Sequence, residues 1–152
     1  MHRSARVICE GCAVTHPILL YDGVCGLCNR VNQFVLRRDA DGIFRFASLQ
    51  SALALRVLQR HGESPQDLDT FYVIVNPDQP DEYLRSRSDA AIFVMQTLGG
   101  FWRALGAIVK LVPKALRDWV YRLIARNRYR VFGRADTCFL PQPRYRERFL
   151  DV

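Results

Sequence analysis

The sequence predicts an α/β fold with the order βαβαββα, extended at its C-terminal end by two more helices. Two observations carry this prediction. Short apolar or alternating runs, each closed by turn residues, take turns with amphipathic stretches up to Gly99-Gly100. After that pair, only helical patterns continue. A chain of 152 residues that is 49% hydrophobic can also bury a genuine core. That composition excludes a disordered tail, a collagen-like repeat and a disulfide-stapled miniprotein. The expected organisation is an N-terminal extension over residues 1–16 and one domain over 17–152, its helical part spanning about 101–132.

Pro17 to Tyr21 is an apolar run ended by Asp22-Gly23, the pattern of a buried strand and its turn. From Cys25 the period changes. Leu27, Val31, Phe34 and Val35 fall on one helical face, and the helix is expected to stop near Asp41-Gly42. Phe44 and Phe46 flank Arg45 in the alternation of a strand over 43–47. Ser48 is the expected N-cap of a helix over 49–61, with Gly62 as its stop. Residues 70–75 are β-branched and aromatic, the composition of a central strand. Residues 76–80 form a Pro-rich loop, and 82–86 return as a hairpin partner. A third helix covers 89–98. Two more are expected over 101–111 and from Pro113 to about 132.

The net charge of +7 is uneven. Residues 1–100 hold ten arginines against eleven acidic residues, whereas 101–152 hold twelve basic residues against four. Arg117, Arg122, Arg126, Arg128, Arg130 and Arg134 are interleaved with Tyr121, Leu123 and Ile124, so a solvated, snorkelling surface is expected rather than a nucleic-acid groove. Trp102 and Trp119 lie in amphipathic patterns and are expected as core anchors. No run of eighteen apolar residues is free of charge, so no transmembrane segment is expected. Glu10, His16 and Pro17 interrupt any signal-peptide core, and a cytoplasmic protein is expected.

Of five cysteines, four form the pairs Cys9-x-x-Cys12 and Cys25-x-x-Cys28. In a reducing compartment such pairs mean redox chemistry or metal more often than a permanent bridge. Cys25 follows a strand and a turn and opens a helix. There, unpaired N–H groups and the macrodipole favour thiolate, the form that attacks disulfides. Cys28 lies one turn on, placed to resolve a mixed disulfide. Cys25 is therefore the expected nucleophile and Cys28 the resolving thiol. Asp22 is either a turn residue or the base that takes the Cys28 proton.

At Asp22, Cys25 and Cys28 the chain resembles the DCC family of predicted thiol-disulfide oxidoreductases, named for its D-x-x-C-x-x-C motif. Further similarity lies in 44–51, in Arg87-Ser88, in 124–130, and in Gly133, Asp136, Cys138 and Pro141. The resemblance covers roughly residues 17–151. It implies a thioredoxin-like fold and protein-disulfide reductase activity. No metal or organic cofactor is expected. The expected partners are a disulfide-containing protein or small-molecule thiol and an electron donor that the sequence does not name.

A second reading makes Cys9, Cys12, Cys25 and Cys28 a four-thiolate zinc site in a binding module whose basic C-terminal helix meets an acidic partner. The segment between the pairs holds the expected core strand, and zinc would occupy the reactive end of the helix. Both points favour redox. Cys138 is either an auxiliary thiol or a small buried apolar residue. His2, His16 and His61 form no ligand spacing.

Overall fold

The structure, a computed structural model, describes residues 16–23, 25–64, 71–133 and 143–150. Four strands form one sheet: β1 (Ile18–Tyr21), β2 (Arg45–Ser48), β3 (Tyr72–Val75) and β4 (Tyr83–Ser86). Their spatial order is β2-β1-β3-β4. β1 pairs parallel with β2 and antiparallel with β3, and β3 pairs antiparallel with β4. The helices are α1 (Gly26–Arg38), α2 (Ala52–Arg60), α3 (Arg87–Leu98), α4 (Gly100–Lys110) and α5 (Lys114–Phe132). A short 3-10 helix spans Pro143–Arg148. This is the thioredoxin-like βαβαββα core with a C-terminal helical extension.

The alternation within β1 divides the core. Ile18 and Leu20 point to one face, where they pack with Val57 and Leu58 of α2. Leu19 and Tyr21 point to the other, with Val35 of α1 and Val94 of α3. β3 is buried at all four positions, as a central strand with both faces covered must be. β4 alternates between exposed and partly buried residues, the pattern of an edge. The opposite edge, β2, is covered by Phe149, which bridges to Phe46 and stacks on its ring at 4.9 Å.

Several boundaries differ from expectation. Ser48 remains in β2, and its hydroxyl accepts the Gln50 N–H at 3.1 Å. Ser51 is the N-cap of α2, accepting the Ala54 N–H. Two serines three residues apart can each cap a helix, and sheet pairing claims the first. α1 ends at Arg38 because the Asp39 carboxylate accepts the N–H groups of Ile43 and Phe44 and turns the chain. α3 begins at Arg87, two residues before the expected start.

Trp119 is 57% exposed and is not a core anchor, whereas Trp102 packs edge-on against Phe34 at 4.8 Å. α4 buries only Gly106, where an added Cβ would lie 3.2 Å from the Met95 Cβ. Glycine is what lets α3 and α4 approach this closely. Among the described residues no helix is long and apolar enough to cross a membrane.

Candidate active site: the N-terminal end of helix α1

β1 ends at Tyr21, and the Cys25 N–H donates to the Asp22 carbonyl at 3.2 Å, closing a turn. Cys25 is the N-cap of α1, and Cys28 lies in its first turn. The sequence thus places both sulfurs where the orphan N–H groups of a helix start converge. Both cysteines are free thiols; Cys25 is wholly buried and Cys28 half-buried.

The Cys25 pKa is lowered to about 6. The largest cause is the Cys28 thiol, which donates to the Cys25 sulfur. Burial opposes ionisation. The main-chain N–H groups of Cys28 and Leu27 and the charge of Arg128 favour it and prevail. Cys28 shifts strongly upward, because its proton is held by Cys25 and because burial and the neighbouring thiolate disfavour a second anion. One thiolate and one thiol therefore share the site, with their roles divided by environment.

Asp22 is wholly buried. Its Oδ1 accepts from Gln50 Nε2 at 3.1 Å and its Oδ2 from Arg128 at 3.3 Å. The Tyr129 hydroxyl also donates to Oδ2. Burial and this bond push the Tyr129 pKa up to about 12. Burial disfavours the Arg128 charge, but Tyr129, the two thiols and Asp22 outweigh it and raise its pKa. α5 is fastened here a second time, because the Gly26 N–H donates to the Gly133 carbonyl at 3.3 Å. Gly133 has φ +75°, which an L side chain would strain.

The expected site residues Asp22, Cys25 and Cys28 are thus brought together. Cys9 and Cys12, the two extra ligands of the zinc alternative, lie outside the described residues, as do Asp136 and Cys138. Among the described residues no group of three or more potential metal ligands gathers.

The expected solvated arginine face is corrected at two positions. Arg128 is 5% exposed, and Arg117 is half-buried against Asp89 at 3.3 Å. Arg122, Arg126 and Arg130 are exposed as expected, and Arg134 is outside the described residues. Arg128, Tyr129 and Gln50 are the site residues that sequence reasoning missed. A signal for the first exists: Tyr121, Ala125 and Arg128 stand at i, i+4 and i+7, on one face of α5.

Comparison with known proteins shows the family. The family description "DCC1-like thiol-disulfide oxidoreductase" matches residues 19–134. The chain is 42% identical over 137 residues to the uncharacterized protein YuxK of Bacillus subtilis (strain 168), covering 90% of this chain and 96% of that protein. It is 35% identical over 124 residues to a chloroplastic DCC family protein of Arabidopsis thaliana, covering 82% of this chain and 69% of that one. No solved structure gives a significant match. With the matched region running from β1 through the end of α5, the chain belongs to the DCC1-like thiol-disulfide oxidoreductase family.

Proposed function

We propose that the protein reduces disulfides through Cys25 and Cys28, acting as a protein-disulfide reductase in a reducing compartment such as the cytoplasm. The observation that carries this reading is the division of labour at α1: a stabilised Cys25 thiolate hydrogen-bonded by a Cys28 thiol. The Cys25 thiolate attacks one sulfur of the substrate disulfide, forming a mixed disulfide and releasing the other sulfur as a thiolate that takes a proton from water. Cys28 then gives up its proton and attacks the Cys25 sulfur. A Cys25–Cys28 disulfide forms and the second substrate thiolate leaves. Two electrons have passed to the substrate, and an external thiol or dithiol restores the pair.

Asp22 is the group to which the Cys28 proton passes. Its fixed bonds to Gln50, Arg128 and Tyr129 hold it beside the pair, and a main-chain hydrogen bond from Asp22 reaches the Cys28 sulfur. Because Cys25 is wholly buried, exchange with a protein disulfide requires local opening around it. No metal or organic cofactor enters the scheme.

The test is a redox titration in glutathione buffers, with thiols trapped by alkylation and mapped by peptide mass spectrometry. A reversible Cys25–Cys28 disulfide is expected. Cys25→Ser should abolish exchange, and Cys28→Ser should accumulate the mixed disulfide. Full exchange by Cys25→Ser would overturn the assignment.

A further inference from the structure

A cavity of about 270 Å³ lies between α1, α3 and α5, beneath the thiol end of β1. Its volume is close to the ~300 Å³ lower bound of small-molecule sites. The lining is apolar over most of its extent, with Val31, Phe34, Val94, Met95 and Ile124 among its residues. Ile124 is 48% exposed, so the cavity reaches the surface along α5. Cys28 also lines it.

One lining residue does not suit a hydrocarbon interior. Asn32 is wholly buried on α1, and among the described residues neither its Nδ2 nor its Oδ1 meets a hydrogen-bond partner. A buried amide without partners is destabilising, and an apolar residue of the same size would serve packing better. A carboxamide presents two donors and one acceptor, so its full complement is a group carrying both a donor and an acceptor. The charged lining groups, Asp22 and Arg128, bond to each other and cancel in net charge. The lining therefore favours a neutral ligand over an ion.

We propose that this cavity binds a small, neutral molecule with an apolar chain and one amide-type head, the head paired with Asn32 and the chain lying along α1 and α3. Bound there, the molecule touches Cys28 and shields its thiol. This site goes beyond the redox reading. Occupancy is read by binding, so it stands or falls separately from the competence of the thiol pair.

The test titrates reduced full-length protein with octanamide and, separately, with octanoate, following binding by heteronuclear NMR. Cys28 alkylation by N-ethylmaleimide is mapped by mass spectrometry in parallel on Cys25→Ser, where no Cys25 thiolate competes for the reagent. Octanamide should bind saturably, slow Cys28 alkylation, and bind at least ~10-fold more tightly than octanoate, the scale of one hydrogen bond to a buried polar group. Asn32→Leu should weaken octanamide by ~10-fold while keeping a cooperative thermal transition. Ala91→Trp should fill the cavity and abolish binding; Met95→Phe does the same with a smaller change if that variant fails to fold. Asn32→Ala takes the place of the leucine variant on the same condition. The proposal is overturned if wild-type protein shows no saturable octanamide binding, if octanoate binds equally well, or if the Asn32 variants bind octanamide unchanged. Binding that persists in the filled variants would equally overturn it.

Discussion

Helix α1 carries an Asp–Arg pair at each end, buried at the first and part-buried at the second, and the two pairs do different work. Before its N-terminus, Asp22 meets Arg128 of α5. At its C-cap, Asp39 meets Arg148 of the 3-10 helix. Both join residues more than one hundred positions apart, and both tie the C-terminal third to the first half of the sheet. Their fields are opposite. The positive end of the α1 dipole favours an anion at Asp22, and the negative end disfavours one at Asp39. Arg148 therefore balances a single carboxylate in an unfavourable place. Arg128 stands before two anions, Asp22 and the Cys25 thiolate, in a favourable one. Identical ion-pair chemistry is structural at one end of a helix and tunes a thiol at the other.

The widest separation should come from Arg148→Met. It leaves the buried Asp39 carboxylate at a helix C-terminus with only the N–H groups of Ile43 and Phe44, and breaking such a pair costs up to about 3–5 kcal/mol. The thiol pKa should not move, because Arg148 sits at the end of α1 opposite the two cysteines. Arg128→Met should destabilise by less, with a difference on the order of 1 kcal/mol from the helix dipole. It should also raise the Cys25 pKa. Urea melts and thiolate absorbance titrations of both variants decide the matter. Equal thiol titrations in the two variants would remove the distinction between the ends.

Cys28→Ala sharpens the picture at the thiol end. The Cys25 thiolate predominates above about pH 6 and is protonated below it. At neutral pH the thiolate is the major form. Removing the Cys28 S–H donor removes the largest stabilising contact, so the midpoint should rise and the thiolate fraction at neutral pH should fall. The rise should exceed that of Arg128→Met, because Arg128 acts on Cys25 more weakly than the Cys28 hydrogen bond does. Titration of the ultraviolet thiolate band, taken as a difference from Cys25→Ser, reads both.

These effects also show what was legible in the sequence. The strands, the order of elements and the position of the cysteines at the start of α1 follow from local patterns: alternation in 43–47, the apolar run before Asp22, the stripe from Leu27 to Val35. The partners of Asp22 do not. Arg128 lies 106 residues away, and local sequence reads it as one arginine among several on a basic helix. Only its register with Tyr121 and Ala125 separates it from its exposed neighbours. Asn32 was hidden for the opposite reason, since a polar residue beside an apolar stripe is normally read as solvated, whereas here it is wholly buried. Ser51 displaced Ser48 as a cap because strand pairing, a non-local contact, took the first serine.

The smallest expected effect comes from the exposed face of the same helix that supplies Arg128. Arg126 lies two residues earlier, about 200° around α5, and it is exposed. Arg126→Gln should change stability by no more than about 0.5 kcal/mol and leave the Cys25 titration where it is. A surface charge near the thiols is screened by water and salt, whereas the Arg128 charge acts through the protein interior. If Arg126→Gln raised the Cys25 pKa as far as Arg128→Met does, the general positive field of the C-terminal third would be responsible. The buried pair at Asp22 would then lose its claim to tune the thiol, and the two ends of α1 would differ only in their neighbours' net charge.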